Sequence, residues 1–221
     1  MKIEFLKIYT PQPEAQYRFY KEVLNLPVQW IAKDVFRVEA GYSKLEFAKD
    51  EGAKPYHIAF HIPARQETKA LNWLEERVEI LRDGQDKIMD FPAWQAKSVY
   101  FYDHDKNILE FISREHLFES ETREFSEAGI LGISEIGLAT SQVRANFDFL
   151  NTHFGLTKFS GDYERFCATG DDMGLFIIIN KNEKDWFPVG DKAHASPFEI
   201  KIAVKNAIFG ASYRDERLTL L

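Results

Sequence analysis

A single cysteine, Cys167, occurs in 221 residues. No intrachain disulfide can form, and a reducing cytoplasm suits such a chain. In "YERFCATG" that cysteine stands in a strand-like run, where a packed core thiol is the expected reading. Runs of lysine and arginine are missing too. With a formal net charge of −7, the chain offers no counter-charge to a nucleic acid or an anionic membrane surface. No apolar run approaches the length of a transmembrane helix; even "LFIIIN" has the length of a buried strand. The opening "MKIEFLKIYTP" carries Glu4 and Lys7 among its apolar residues, which is too charged and too short for a signal peptide. A Gly-rich phosphate loop, a Walker lysine, a Ser/His/Asp spacing and a cysteine pair are all lacking, so nothing favours nucleotide binding or nucleophilic catalysis of those types.

What is present is an ordinary globular composition, 45% hydrophobic and 29% charged, in a chain long enough for one large domain or two small ones. The stretch "KPYHIAFHIP" alternates Ile58, Phe60 and Ile62 with His57, Ala59 and His61, as a strand with two unlike faces does. It is not unique. "IEFLKIYT", "SEIGLAT" and "FEIKIAV" share its pattern, with Phe5, Glu135 and Glu199 at the place of His57 and apolar residues one and three positions later. Four related strands are expected, each laying its apolar face on a helix layer.

Helical spacing follows three of them. Ala15, Phe19 and Val23 recur in "PEAQYRFYKEVLNL", Leu71, Leu74 and Val78 in "QETKALNWLEERV", and Val143, Phe147, Leu150 and Phe154 in "SQVRANFDFLNTHFGL". Hairpins are then expected to turn at Gly41, between Asp103 and Asn107, and between Asp171 and Gly174. The unit is strand, helix, then strands, and it occurs about three and a half times. The residues beyond Val204 are too few for a helix plus hairpin. The polar, acidic stretch 116–130 reads as a linker. The expected organisation is a domain over 1–115 holding two complete units, and a shortened second domain over 131–221.

These units resemble the paired βαβββ units of the vicinal oxygen chelate superfamily, which includes glyoxalase I, extradiol dioxygenases, fosfomycin-resistance enzymes and bleomycin-binding proteins. The most specific match is "SVYFYDHDKNILEF". It is similar to the family's strand, Asp-Pro-x-Gly-Asn turn and strand with a metal-binding glutamate; Asp103 and Asn107 keep the turn, while His104 and Lys106 replace its Pro and Gly. "PYHIAFHI" resembles the strand that supplies a metal histidine, and "PEAQYRFYKEVLNLPV" the first helix. The resemblance implies an α+β fold with cupped mixed sheets. It also implies a divalent metal (Fe, Zn, Mn or Ni) on Glu46, His57 and Glu110, with one ligand place taken by Phe5. His61, on the face of His57, would assist proton transfer.

Several residues sharpen or oppose that reading. Lys7 shares the face of Phe5 and is placed to pair with Glu46 or Glu110, where a salt bridge would stand in for the metal. Phe5, Lys7, Trp30, Trp94, Tyr100 and Tyr102 are candidates for the lining of a substrate pocket. In the shortened domain Glu135 and Glu199 take the first-strand places, Phe176 the last-strand place matching Glu46, and Lys201 shares the face of Glu199; a salt-bridge cluster is expected there. His104 and His116 are expected at the surface. Two functions follow: a metal-dependent enzyme, glyoxalase-like or ring-cleaving, on a small oxygen-bearing molecule, or a metal-free protein of the bleomycin-resistance type that sequesters a small ligand. The partner in either case is a small molecule, and the shortened domain leaves room for a homodimer.

Overall fold

The structure, a computed structural model, describes residues 1–120 and 123–221. Two residues of the expected linker, Glu121 and Thr122, lie outside the described residues. Among the described residues, no helix is long and apolar enough to cross a membrane.

The first unit runs β1 (Lys2–Thr10), α1 (Pro13–Arg18), β2 (Val28–Ala32), β3 (Val35–Ala40) and β4 (Ser43–Lys49). Pro13 opens α1, where its missing N–H costs nothing. A π-helical turn, Phe19–Val23, extends it and buries Tyr20. The second unit runs β5 (His57–Ile62), α2 (Glu67–Glu75), the short β6 (Ile80–Leu81) and β7 (Met89–Phe91), β8 (Ala96–Tyr102) and β9 (Ile108–Arg114). The third runs β10 (Gly132–Thr140), α3 (Val143–Phe154), β11 (Lys158–Gly161), β12 (Phe166–Asp171) and β13 (Gly174–Asn180). Gly155, in the left-handed region, ends α3. The fourth copy has no helix: β14 (Phe198–Val204), β15 (Ala207–Arg214) and β16 (Arg217–Leu220) form a simple meander.

The units do not pair in the order in which they follow one another. One sheet has the order β16-β15-β14-β1-β4-β3-β2, the other β11-β12-β13-β10-β5-β9-β8-β6, with β7 beside β8. Unit one thus shares a sheet with unit four, and unit two with unit three. This corrects the expectation of two complete units side by side in residues 1–115. The antiparallel seams are well matched: Leu6 faces Ile200 and Lys7 faces Glu199 in one, Ile58 faces Ile136 in the other. Nothing local to a unit encodes which copy it meets, because all four first strands carry the same alternation.

The apolar faces of both sheets join one core. Leu6, Ile8, Leu45 and Phe47 of the first sheet belong to the same buried cluster as Ile58, Phe60, Leu109 and Phe111 of the second. Side chains that alternate with these point away from the core, on opposite sides of the molecule. The expected linker is partly docked: Phe125 is buried against Trp73 and Phe111. Gly41, in the β3–β4 turn at φ +56°, stitches the sheets together, since a Cβ there would lie 2.0 Å from the Leu131 carbonyl oxygen.

Two matching buttresses hold helices to hairpins. Asp103, in the β8–β9 turn, accepts hydrogen bonds from the Gln16 amide (2.8 Å), the Tyr20 hydroxyl (3.2 Å), the Asn107 amide (2.7 Å) and the backbone N–H groups of Asp105 and Asn107. Glu216, in the β15–β16 turn, accepts from the Ser141 N–H and hydroxyl, while its carbonyl accepts from Asn146 of α3. The turn residues Asp103 and Asn107 are therefore structural ties between units one and two.

Candidate functional site

The second sheet carries the site on the face turned away from the core. Strand alternation puts His57 of β5, Glu110 of β9 and Glu135 of β10 on that face, opposite Ile58, Leu109 and Ile136. All three line one cavity of about 340 Å³. Its remaining walls are aromatic and aliphatic: Trp94, Tyr100, Phe166 and Ile177 from the sheet and its flank, and Trp186 and Phe187 from the loop that leads from β13 to β14. Lys184 lies at its margin, 5.9 Å over the Phe166 ring.

The polar end is a connected network. The Ser98 hydroxyl donates to Glu110 Oε1 at 2.5 Å, and His57 Nε2 lies 3.0 Å from Glu110 Oε2. An imidazole beside a carboxylate places its proton between them, on Nε2, which leaves Nδ1 as an acceptor; that atom is buried and has no hydrogen-bond partner. The Trp186 ring covers His57 with centroids 5.1 Å apart. Glu135 accepts from Arg114 Nη2 at 2.9 Å. Burial and the Glu110 charge push the Glu135 carboxyl up, and the Arg114 guanidinium beside it opposes that rise and favours the charged form. The Tyr100 phenol is held protonated by burial and by Glu110 beside it.

The sequence-derived candidates divide sharply. His57 and Glu110 meet, and Trp94 and Tyr100 line their cavity. Glu46 does not join them. It sits on β4, on the first sheet's face away from the core, paired with Arg37 at 2.9 Å. The core of both sheets separates it from His57. Lys7 and Phe5 share that distant face, with Lys7 paired to Glu199 at 3.4 Å, not to Glu46 or Glu110, and Lys201 5.9 Å over the Phe5 ring. Trp30 is 43% exposed and stacks on Tyr17 at the first sheet's edge. Tyr102 stands beside the cavity and donates to Asp191 at 2.5 Å, tying the covering loop to β8. His61 does not line the cavity. It is fully buried beside Tyr42 and Phe118, with Nε2 3.3 Å from the Met173 carbonyl oxygen, and burial lowers it to about 3.

Phe176 also changes place: it faces the core, and its neighbour Ile177 faces the cavity. Register shows why. Ala59 pairs with Glu110, and the equivalent residue of unit three, Gly137, pairs with Ile177. The expected salt-bridge cluster of Glu135, Glu199 and Lys201 is split between the sheets. Two members of the site, Arg114 and Trp186, were not among the sequence-derived candidates, and a third was placed elsewhere. Arg114 was legible, because it follows Glu110 by four residues and so shares its face. Glu135 was identified but assigned to a separate domain. Trp186 lies in an irregular loop with no periodic signal.

No sequence-family model matches the chain, and no curated protein matches it in sequence. Solved structures do match. A provisionally named dioxygenase from Bacillus subtilis superposes with a TM-score of 0.59 over 81% of this chain and 63% of its own, at 16% identity. A mutant glyoxalase I from Zea mays superposes with a TM-score of 0.52 over 80% of this chain and 66% of its own, at 11% identity. The chain shares the fold of these two proteins. It spans 63% and 66% of the lengths of those two neighbours.

The resemblance of the repeated units to the vicinal oxygen chelate superfamily implies a divalent metal held by the first and last strands of two paired units. In the second sheet those four places hold His57, Glu110, Glu135 and Ile177. Ile177 has no donor atom, and Glu135 is already bonded to a guanidinium. A divalent cation sharing that carboxylate would stand within a few ångströms of a positive charge in a poorly solvated site, where repulsion is strong. Among the described residues, no group of three or more His, Cys, Asp and Glu side chains has the geometry to hold a metal ion. As arranged, the donor set does not fit the metal.

Proposed function

We propose that the cup of the second sheet binds a small, flat, oxygen-bearing organic molecule without a resident metal. The observation that carries this reading is the cavity itself: aromatic walls, one polar end, and carboxylates there that already have protein partners. Such a pocket gains affinity from apolar and stacking contacts and orientation from a few fixed polar groups. His57 and Glu110 supply the orientation, and Trp94 and Trp186 supply the walls. Titrating the protein with small phenols, quinones and aromatic amides while following tryptophan fluorescence tests it. Saturable quenching that Trp186→Ala weakens about tenfold is the expected result. A diverse panel giving neither quenching nor a rise in Tm sinks the reading.

A metal-dependent lyase or ring-cleaving dioxygenase is the second reading. One observation favours it: His57, Glu110 and Glu135 occupy three of the four places from which the family draws its ligands. Elemental analysis after incubation with Fe²⁺, Zn²⁺, Mn²⁺ and Ni²⁺ separates the two.

A further inference from the structure

Arg114 ends β9, four residues beyond Glu110 and on the same face. It is 1% exposed, among the largest fully buried side chains of the molecule. Nη2 bonds Glu135 at 2.9 Å, and Nη1 lies 3.5 Å from Asp172 Oδ1. The guanidinium lies against two touching rings, 5.6 Å from the Trp94 centroid and 5.8 Å from that of Phe159, whose centroids are 5.2 Å apart. Trp94 is itself a cavity wall, so the cation stands directly behind the site. A guanidinium keeps its charge at any ordinary pH. Without Glu135 the buried guanidinium would keep only the longer contact to the partly exposed Asp172, so Glu135 cannot leave it at small cost.

We propose that Arg114 excludes a divalent metal from this cup by holding Glu135 in a buried ion pair. The guanidinium does for Glu135 what a cation coordinated by it would otherwise do: it neutralises a second carboxylate beside Glu110. With Glu135 engaged and Ile177 in the fourth place, only His57 and Glu110 are left to meet a ligand, and they meet it as hydrogen-bonding groups. The cup then selects a molecule with one hydroxyl or N–H to give, such as a phenol or an amide, over one with two adjacent oxygens to chelate. This inference rests on the cup of the second sheet being the ligand site.

Metal uptake by the purified full chain tests it, with each of Fe²⁺ (without air), Zn²⁺, Mn²⁺ and Ni²⁺ offered in excess and then removed by desalting. Wild type should retain at most about a tenth of an equivalent, and Arg114→Lys, which keeps the charge, should match it. Arg114→Met should retain about one equivalent of at least one metal, and adding Glu110→Gln to that variant should abolish it. Should Arg114→Met fail to fold by circular dichroism, Arg114→Gln, neutral but still able to donate to Glu135, should show the same gain. Wild type that holds about one equivalent, lost in Glu110→Gln, overturns the proposal, as do folded neutral variants that bind no more metal than wild type. Fluorescence quenching on the same samples keeps the two failures apart. Metal uptake by wild type together with ligand binding overturns only the role of Arg114, whereas absence of binding by metal-free wild type overturns the cup as the ligand site.

Discussion

The Trp186 indole lies across Gly137, and a Cβ built on that glycine would come within 2.7 Å of the ring and 3.0 Å of His57 Cβ. The missing side chain is what lets the β13–β14 loop close over β10 and cover the histidine. Gly137→Ala should therefore displace the loop. Overpacking of this kind costs about 1–3 kcal/mol. Urea unfolding should show that loss, and tryptophan emission should shift to the red. Unchanged emission and stability would mean that the loop is not seated as described.

Asp103 should matter for stability rather than for binding. Five donors converge on it, from α1 and from its own turn. Asp103→Ala strands buried donors on Gln16, Tyr20 and Asn107, for a cost of about 3 kcal/mol. Chemical denaturation should register this, while ligand affinity of the folded fraction should stay within about twofold.

His61 should give the protein an acid sensitivity. Burial holds it neutral down to about 3 in the folded state, whereas the unfolded chain protonates it near 6.5. Between these values the unfolded state binds more protons. The stability contributed is fully present above about 6.5 and is lost as the pH falls towards 3. From pH 7 to pH 5.5 the loss from this one residue is about 1 kcal/mol. His61→Phe, among Tyr42 and Phe118, should remove most of that slope even if it lowers stability at pH 7. A slope between pH 7 and 5.5 that is the same in His61→Phe as in wild type would contradict the buried neutral ring.

The seam between units one and four carries its own test. Lys7 and Glu199 face each other across it, both partly exposed. Lys7→Glu sets like charges opposite, for a cost of about 1 kcal/mol or less at that exposure. The double variant with Glu199→Lys should recover about half of the loss. No recovery would argue against β1 pairing with β14.

Much of this architecture could be read in advance, for local reasons. Period-two alternation gave the faces of β5 and β9, and the family resemblance implied that His57 and Glu110 share one site. The 3.6-residue period marked three helices within a few residues of their ends. Gly41, and the turns at Asp103–Asn107 and Asp171–Gly174, announced the hairpins. What could not be read was partnership. Glu46 looked like Glu110 because both stand in a "LEF" strand of a complete unit, yet the sheets put them on opposite sides of the core. Lys7 was expected beside Glu46 or Glu110 and found Glu199. Trp186, which covers His57, sits in a loop where no periodicity operates.

The sequence by itself determined the repeated unit, the α+β class and the faces of each strand. These follow from steric and hydrophobic preferences acting over a few residues. Only the tertiary structure decided that unit two joins unit three, that Glu135 and Arg114 therefore complete the cup, and that Glu46 and Lys7 lie outside it. Four similar strands offer several pairings of nearly equal local merit, and the choice among them belongs to the packing of the whole chain.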